Sequence, residues 1–265
     1  MTPDIISKEQ CLFPRLKNKV AMVTGGGSGI GRAGAIAMAR HGAHVIITDR
    51  EGEKASQVAL ELGKEGFQAI SENLDVTNDL AVSELINKIV KTYGRLDILH
   101  SHAGYQAEGN LEQVTLEGME LSWQINVRSH FIAARATVGQ MRAQGGGSII
   151  ITSSNSGVQY DREMIAYATT KHAVVAMTRQ MAADYAKDNI RFNTLCPGFI
   201  DTPFNAGFEK QMGGRKKLEQ YVSCTIPMGR WGTTNEVADS ILFFASDMST
   251  FMTGHALVVD GGESI

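Results

Sequence analysis

The chain has 265 residues, of which 43% are hydrophobic and 20% are charged, and it carries a formal net charge of -3. This balance is typical of a globular protein, and the length suits one large α/β domain. The lack of a dense basic stripe argues against nucleic acid as a partner, and no apolar run is long enough to predict a membrane span.

Apolar runs alternate with amphipathic segments along most of the chain. Strands are predicted at 20–24, 44–48, 67–73, 96–101, 148–152, 190–196 and 256–259. Helices are predicted at 29–40, 53–65, 80–92, 116–142, 165–187 and 235–245, the fourth with a break near its start. Continuous apolar strands that alternate with helices predict a Rossmann-type α/β fold, a doubly wound parallel sheet of about seven strands with helices on both faces.

One domain is expected over residues 18–265. Residues 201–226 interrupt the alternation and are interpreted as an excursion that covers the ligand-binding edge of the sheet, in the manner of a lid. Residues 1–17 contain acidic residues and prolines, unlike a secretory signal, and are interpreted as a surface arm.

The cysteines Cys11, Cys196 and Cys224 are too far apart in sequence for a metal-binding motif. Their spacing favours a reducing compartment, so we expect a cytoplasmic protein without a bound metal.

A glycine cluster joins the first predicted strand to the first predicted helix. It reads Thr-Gly-Gly-Gly-Ser-Gly-Ile-Gly from Thr24 to Gly31. Glycines allow a tight turn and the close approach of a pyrophosphate, which lies at a helix N-terminus against free N–H groups. A plain strand-to-helix turn is the alternative. The candidate dinucleotide-binding residues of this turn are Gly25, Gly27, Ser28, Gly29, Ile30 and Gly31.

Asp49 ends the second predicted strand, where an acidic residue meets the adenosine ribose in dinucleotide-binding folds. Its carboxylate would accept hydrogen bonds from the ribose hydroxyls and repel a 2′-phosphate. Arg50 follows directly and would partly offset that repulsion, so the pattern favours NAD, with NADP less favoured. Asp75 and Val76 follow the third strand as candidate adenine contacts, although Asp75 also suits the N-cap of the next helix.

Tyr167 and Lys171 are four residues apart in a predicted helix, and therefore share one of its faces. An ammonium beside a phenol lowers the phenol's pKa from about 10. Ser154 follows a predicted strand and, if it reaches the same point, completes a group that exchanges a proton with an alcohol oxygen. Each residue alone also has an ordinary structural explanation.

Together these motifs resemble the short-chain dehydrogenase/reductase family over roughly Lys19 to Gly262. The glycine turn matches the family's T-G-x-x-x-G-x-G, and the Tyr167-x-x-x-Lys171 pair with Ser154 matches its active-site motif. Asn126 matches the asparagine of the family's catalytic tetrad. The resemblance implies further cofactor contacts from Ala103, Gly104, Tyr167, Lys171, Pro197, Gly198, Ile200 and Thr202.

The family resemblance implies a hydride transfer between a nicotinamide and a carbinol carbon, which interconverts a secondary alcohol and a ketone. Tyr167 would act as the proton acceptor and Lys171 would stabilise its phenolate. Ser154 would hold the substrate oxygen, and Asn126 would anchor a water that connects Lys171 to solvent. It also implies a homotetramer.

One family motif is altered. Where the family usually has Asn-Asn-Ala-Gly, this chain has Ser101-His102-Ala103-Gly104. His102 is interpreted as a structural replacement or, alternatively, as a residue that tunes the pH dependence.

The substrate is predicted less sharply than the reaction. Candidate substrate contacts are Ser154, Ser156, Gln159, Tyr160, Tyr105, Phe199 and Phe204. This mixture of polar and aromatic residues favours a small polar hydroxylated compound such as a polyol, sugar or hydroxy ketone. The basic residues at 210 and 215–217 form either a solvated face or an attraction for an anionic substrate. A 3-oxoacyl-carrier-type reductase and a non-catalytic NAD(H)-binding scaffold or sensor remain alternatives.

Overall fold

Seven parallel strands form one sheet in the computed structural model, which describes residues 15–265. The strands are β1 (Val20–Thr24), β2 (His44–Asp49), β3 (Ala69–Asn73), β4 (Ile98–Ser101), β5 (Gly147–Thr152), β6 (Ile190–Pro197) and β7 (Ala256–Val259). Their order across the sheet is β3-β2-β1-β4-β5-β6-β7, and all six pairings are parallel. The predicted fold class is therefore confirmed.

Nine α-helices flank or follow the strands in the described part of the chain. They are α1 (Gly29–Arg40), α2 (Gly52–Lys64), α3 (Asp79–Tyr93), α4 (Leu116–Trp123), α5 (Ser129–Ala143), α6 (Ile165–Tyr185), α7 (Ala206–Gln211), α8 (Arg215–Thr225) and α9 (Thr234–Ala245). The predicted helix bounds agree closely with α1, α3, α6 and α9. The predicted long helix at 116–142 is α4 and α5 joined by a π-helical segment, Gln124–Arg128.

Two hydrophobic clusters lie on opposite faces of the sheet. Neighbouring residues of one strand point to opposite faces, so Val23 packs with α1, α2 and α9 while Met22 packs with α3, α5 and α6. The central strands consequently read as largely apolar runs, since both faces are buried. The edge strand β3 differs, because it is half-exposed and includes Ser71, Glu72 and Asn73.

The carboxyl ends of the parallel strands meet at one edge of the sheet, where loops of successive βα units gather ligand-binding residues. Residues 201–226 lie beyond the end of β6 and contain the 3₁₀ turn Pro203–Asn205, α7 and α8.

The predicted N-terminal arm falls mostly outside the described residues. Its described end differs from the prediction, because Leu16 is 1% exposed and packs in the cluster that contains α1 and α9. The Leu16 backbone N–H also donates to His41 O. The packed part of the chain thus begins before the predicted boundary at residue 18.

Within residues 15–265, no helix combines the length and apolar character that crossing a membrane requires. The same residues contain no group of His, Cys, Asp or Glu side chains arranged to hold a metal ion.

Candidate active site

Helix α6 places Tyr167 and Lys171 on one buried face beside the end of β5. The side chains are one helical turn apart, and Lys171 Nζ lies 5.5 Å from the centre of the Tyr167 ring. The Lys171 ammonium donates to Thr152 O at 3.1 Å. Lys171 is 2% and Tyr167 5% exposed, so both groups act in a largely dehydrated environment.

Ser154 follows β5 and caps the short 3₁₀ turn Asn155–Gly157. Its Oγ accepts from the Ser156 N–H at 3.2 Å and donates to Asn155 Oδ1 at 3.1 Å. Ser154 and Tyr167 line the same cavity, and the Ser154 side chain acts to lower the pKa of Tyr167. The strand end and the helix face therefore bring a hydroxyl, a phenol and an ammonium to one place.

Asn126 lies in the π-helical segment, a kind of irregularity that is frequent at functional sites. Its Nδ2 donates to Tyr105 O at 2.8 Å and to Thr170 Oγ1 at 3.0 Å, and its Oδ1 accepts from the Tyr105 N–H at 2.8 Å. A Cβ on Gly104 would lie 3.6 Å from Asn126 Oδ1 and 3.5 Å from Lys171 Nζ. Asn126 thus joins the loop after β4 to α6 beside Lys171.

The ionisation of the tyrosine differs from the prediction. Burial raises the pKa of Tyr167 to about 12, against the opposing hydrogen bond from Ser154. Burial also lowers the pKa of Lys171 to about 8. In this structure the loss of hydration outweighs the predicted effect of the ammonium on the phenol, because both groups are almost fully removed from water.

The glycine turn is shaped by close backbone contacts. A Cβ on Gly31 would lie 2.1 Å from Gly25 O, and a Cβ on Gly25 would lie 3.1 Å from Ala103 Cα. Gly25 and Gly29 have φ of 67° and 52°, in the left-handed region that glycine adopts without strain. The absence of side chains here allows α1 to begin directly against the turn, with its free N–H groups at the sheet edge.

Asp49 reaches across this turn from the end of β2. Its Oδ2 accepts from the Gly27 N–H at 3.0 Å, and its Oδ1 accepts from the Glu51 N–H at 3.0 Å. Arg50 lines the same groove as Asp49. The carboxylate is thereby held at the edge of the groove with acceptor capacity remaining.

A groove of about 460 Å³ runs from the glycine turn to the Tyr167–Lys171 pair. Most predicted cofactor residues line it, namely Gly25, Ser28, Gly29, Ile30, Asp49, Arg50, Asp75, Val76, Ala103, Gly104, Tyr167, Lys171, Pro197, Gly198, Ile200 and Thr202. Gly27 and Gly31 are not in the lining and instead shape the turn. Asp75 accepts from the N–H and hydroxyl of Thr77, whereas Asn78 caps α3, so the N-cap alternative for Asp75 is wrong.

A second cavity of about 480 Å³ adjoins the groove at Tyr167. Of the predicted substrate contacts, Ser154, Ser156, Tyr160, Phe199 and Phe204 line it. Phe204 lies 6.2 Å from Tyr167 between ring centres and borders both spaces. Tyr105 lines the groove instead, and Gln159 lies outside the lining, where its amide donates to Asp161 Oδ1.

The Ser101-His102 replacement ties the end of β4 to helix α5 and to strand β5. Ser101 Oγ lies 2.7 Å from His130 Nδ1, and His102 Nδ1 lies 3.1 Å from Thr152 Oγ1. Burial, with a smaller effect of the Lys171 charge, lowers the pKa of His102 to about 4. A neutral, hydrogen-bonded imidazole supports the structural interpretation and disfavours a titrating role near neutral pH.

Sequence reasoning missed a carboxyl group in the second cavity. Glu263 follows β7 and accepts from Asn155 Nδ2 at 2.9 Å and from the Tyr221 hydroxyl at 3.4 Å. Burial raises the pKa of Glu263 to about 7, and the charge of Asp161 acts in the same direction. The available signal was an acidic residue shortly after the last strand, at the edge where all the strands end.

Other missed residues belong to elements with no ligand motif. Residues of α4 and the π-helical segment line the groove. Residues of α7, the residue that follows it and a residue of α8 line the cavity. They are Leu121, Gln124 and Ile125 in the groove, and Phe208, Gln211, Met212 and Tyr221 in the cavity.

Comparison with known proteins agrees with this architecture. A family model described as enoyl-(acyl carrier protein) reductase matches residues 25–264. The trans-4-hydroxycyclohexanecarboxylate dehydrogenase of Sinomonas cyclohexanicum is 34% identical over 256 residues, which cover 94% of this chain and 94% of that protein. The 3-oxoacyl-[acyl-carrier-protein] reductase FabG of Thermotoga maritima is 34% identical over 248 residues, which cover 94% of this chain and 98% of that protein.

A solved structure is similar over the same extent. The gluconate 5-dehydrogenase from Burkholderia cenocepacia, in complex with NADP and tartrate, has a TM-score of 0.89 and 33% identity, with 95% of this chain and 97% of that chain covered. Together with the motifs and the sheet order, these matches show that the chain belongs to the short-chain dehydrogenase/reductase family, as an oxidoreductase that acts on CH–OH groups.

Proposed function

We propose that this protein catalyses the NAD-dependent interconversion of a secondary alcohol and a ketone in a small polar hydroxylated substrate. The observation that carries the proposal is the meeting of Ser154, Tyr167 and Lys171 where a glycine-edged groove adjoins a cavity of mixed polar and aromatic lining. The groove suits a dinucleotide and the cavity suits a compact substrate. The three side chains lie between them, where a proton must be exchanged.

The residues present fit a nicotinamide dinucleotide. A Cβ at Gly31 would fill the turn, and the N-terminus of α1 offers free N–H groups to a pyrophosphate. Asp49 would bind the adenosine ribose, Asp75 and Val76 would border the adenine, and residues 197–202 would hold the nicotinamide end. When bound, the cofactor supplies or accepts the hydride.

The preference for NAD rests on Asp49. Its carboxylate would repel a ribose 2′-phosphate and accept hydrogen bonds from the two ribose hydroxyls. Glu51, which also lines the groove, is paired with Lys54 at 2.8 Å, so its charge is offset locally. Arg50 is the nearby cation that weakens the discrimination without removing it.

In the direction of oxidation, Tyr167 takes the proton of the substrate hydroxyl and Ser154 holds the substrate oxygen by a hydrogen bond. Tyr167 accepts this proton as a phenolate, after its own phenolic proton has left toward solvent by way of Lys171. The Lys171 ammonium stabilises that phenolate, which offsets the effect of burial on the phenol. General acid–base assistance of this kind contributes about 10²–10⁴ in rate. Asn126 has one acceptor position left on Oδ1, which suits a water between Lys171 and solvent.

A 3-oxoacyl-carrier-type reductase is the second candidate, favoured by the similarity to FabG. Such a reductase would prefer NADPH and attract an acidic carrier protein. The Asp49 carboxylate argues against a preference for NADPH. The attraction is weakened because Arg215 pairs with Asp201 and Glu219 and lies 4.6 Å from the Trp231 ring centre. The basic residues of α8 therefore suit a solvated face better than a carrier surface.

A cytoplasmic homotetramer is part of the proposal. Large apolar side chains remain exposed along α4, α5 and the start of α6, and buried apolar surface is what stabilises an oligomer. These are Leu116, Trp123, Phe131 and Ile165. Sedimentation equilibrium would give a tetramer mass, and Phe131→Glu would shift it to smaller species.

The test of the reaction is a panel of secondary alcohols and ketones with NAD(H) and NADP(H), followed by nicotinamide absorbance. Turnover that is faster with NAD(H) is expected. Binding of NADH without turnover of any compound would support the scaffold alternative, and preference for NADPH with acyl-carrier 3-oxoesters would support the second candidate.

A further inference from the structure

The C-terminal turn is built to direct one carboxylate into the substrate cavity. After β7, Asp260 accepts from the Gly262 N–H at 2.9 Å and from the Ser264 hydroxyl at 2.6 Å. Gly261 and Gly262 have φ of 68° and 91°, which allows the chain to reverse there. The reversal brings Glu263 into the lining of the cavity that also contains Ser154 and Tyr167.

The carboxylate of Glu263 is held but not saturated. It accepts one hydrogen bond from Asn155 at 2.9 Å and a long one from Tyr221 at 3.4 Å. An ionised carboxylate accepts about four hydrogen bonds, so roughly half of its capacity remains for a ligand in the cavity. Both protein donors come from elements that border the cavity, and they fix the orientation of the carboxylate.

No cation neutralises this carboxylate within residues 15–265, since none of the ion pairs includes Glu263. Asp161 and Glu163 line the same cavity, and Arg162, which is exposed, is the cation among the lining residues. The charges of Asp161 and Asp260 raise the pKa of Glu263 beyond the effect of burial. The cavity wall around Glu263 is therefore acidic.

Glu263 is also two hydrogen bonds away from the proposed reaction centre. Ser154 Oγ donates to Asn155 Oδ1 at 3.1 Å, and Asn155 Nδ2 donates to Glu263 Oε2 at 2.9 Å. A substrate with its carbinol at Ser154 and Tyr167 would extend its other groups toward this carboxylate. Hydroxyl groups of the substrate that reach Glu263 would donate hydrogen bonds to its carboxylate in place of water. A carboxylate on the substrate would instead be repelled by the charge of Glu263.

We propose that Glu263 is a substrate-specificity residue, which accepts hydrogen bonds from hydroxyl groups remote from the reacting carbinol and selects neutral polyhydroxylated substrates against carboxylates. This inference rests on the proposed function for the position of the reacting carbon. It extends that function by naming the class of substrate and the residue that recognises it.

Sorbitol, gluconate and cyclohexanol form a suitable set of probes. Gluconate has a carboxylate where sorbitol has a terminal hydroxymethyl group, and cyclohexanol has no hydroxyl group remote from its carbinol. We would measure kcat/KM with NAD for wild type, Glu263→Gln and Glu209→Gln. Glu209 belongs to α7 but does not line the cavity, so its variant controls for a general loss of negative charge. Thermal denaturation checks that each variant is folded.

The sorbitol-to-gluconate ratio of kcat/KM should fall by about tenfold or more in Glu263→Gln, because a buried acceptor for the substrate is weakened and a repulsive charge is removed. Cyclohexanol turnover should change by less than about twofold, and Glu209→Gln should behave as wild type. The ratio should rise with pH through about 7 in wild type and stay flat in Glu263→Gln.

An equal loss for all three probes would overturn the proposal, since Glu263 would then only position Asn155 and Ser154. An unchanged ratio, or the same change in Glu209→Gln, would overturn it as well.

Calorimetric titration of sorbitol into the protein–NADH complex separates the two proposals. Sorbitol binding that depends on Glu263, without turnover of any alcohol, would retain this inference and refute the proposed function. Turnover of cyclohexanol with neither binding nor turnover of sorbitol would retain the proposed function and refute the role of Glu263. No binding of sorbitol and no turnover of any probe would refute both proposals.

Discussion

Asn155 Nδ2 donates a hydrogen bond of 2.9 Å to Glu263 Oε2 and so joins the turn after β5 to the C-terminal turn after β7. The contact holds a carboxyl group whose pKa burial raises from 4.5 to about 7. A carboxyl that binds its proton more tightly in the folded state adds stability below the unfolded pKa and loses it as pH rises through the folded pKa.

The pH dependence of stability should therefore reveal this carboxyl. Relative to Glu263→Gln, wild type should have its largest stability advantage at and below about pH 4.5, and should lose that advantage as pH rises from there through about 7, following the two pKa values. Melting temperatures of both proteins across this range give the comparison, in which the other titrating groups cancel. A difference that does not change with pH would contradict the raised pKa.

The preference for NAD should depend on one carboxylate. In Asp49→Asn the ratio of kcat/KM for NADP to that for NAD should rise by about tenfold to a hundredfold, because nearby charges at a protein surface interact by a few kcal/mol. The substitution also weakens one of the two hydrogen bonds to Gly27 and Glu51. Glu53→Gln, an exposed acidic residue on α2 outside the groove, is the matched control and should leave the ratio unchanged. An unaltered ratio in Asp49→Asn would refute the assignment.

The glycine turn should not tolerate a methyl group at Gly31. A Cβ there would lie 2.1 Å from Gly25 O and 2.7 Å from His102 Cδ2. Overpacking of this kind costs about 1–3 kcal/mol, so Gly31→Ala should lower the free energy of unfolding and weaken NADH binding. Urea denaturation and fluorescence titration measure the two effects.

Gly63→Ala in α2 is the matched control, since a Cβ there meets nothing within 4 Å. It should be neutral or stabilising by roughly 0.5–1 kcal/mol, because alanine is favoured over glycine in helices. Equal behaviour of the two variants would show that the close approach at Gly31 is unimportant.

The ionisation of His102 should not affect the pH dependence of kcat/KM near neutral pH. Its pKa of about 4 follows mainly from burial, and its Nδ1 lies 3.1 Å from Thr152 Oγ1. We expect His102→Asn to lower stability modestly while its kcat/KM profile between about pH 6 and 9 keeps the shape of wild type. Disappearance of one ionisation from that profile would instead assign His102 a titrating role.

Much of this architecture could be predicted because it depends on local patterns. The central strands are apolar on both faces, and the spacing of Tyr167 and Lys171 fixes their common helix face, so the fold class and the family were both confirmed. Within a single helix or strand, the spacing of two residues in the sequence determines whether their side chains share a face. The same is true of the glycine turn, whose backbone requirements are visible in its composition.

Other features depend on how distant segments meet, and the sequence carries little trace of that. Glu263 reaches the cavity only because two glycines reverse the chain after β7, and its partners lie 108 and 42 residues away along the chain. The ionisation of Tyr167 was predicted from its neighbour Lys171, but burial dominates it. Burial depends on all the elements packed around a group and not on the nearest motif.

The central claim is that the Tyr167 hydroxyl transfers the substrate proton, and Tyr167→Phe tests it most directly. Tyr185→Phe, a substitution at the other end of α6, is the control and should retain full activity. The account predicts that Tyr167→Phe lowers kcat/KM for the best substrate of the panel by about 10²–10⁴ while the Kd for NADH stays nearly unchanged. A Tyr167→Phe enzyme that keeps substantial activity would contradict the account, because another group would then be the proton acceptor.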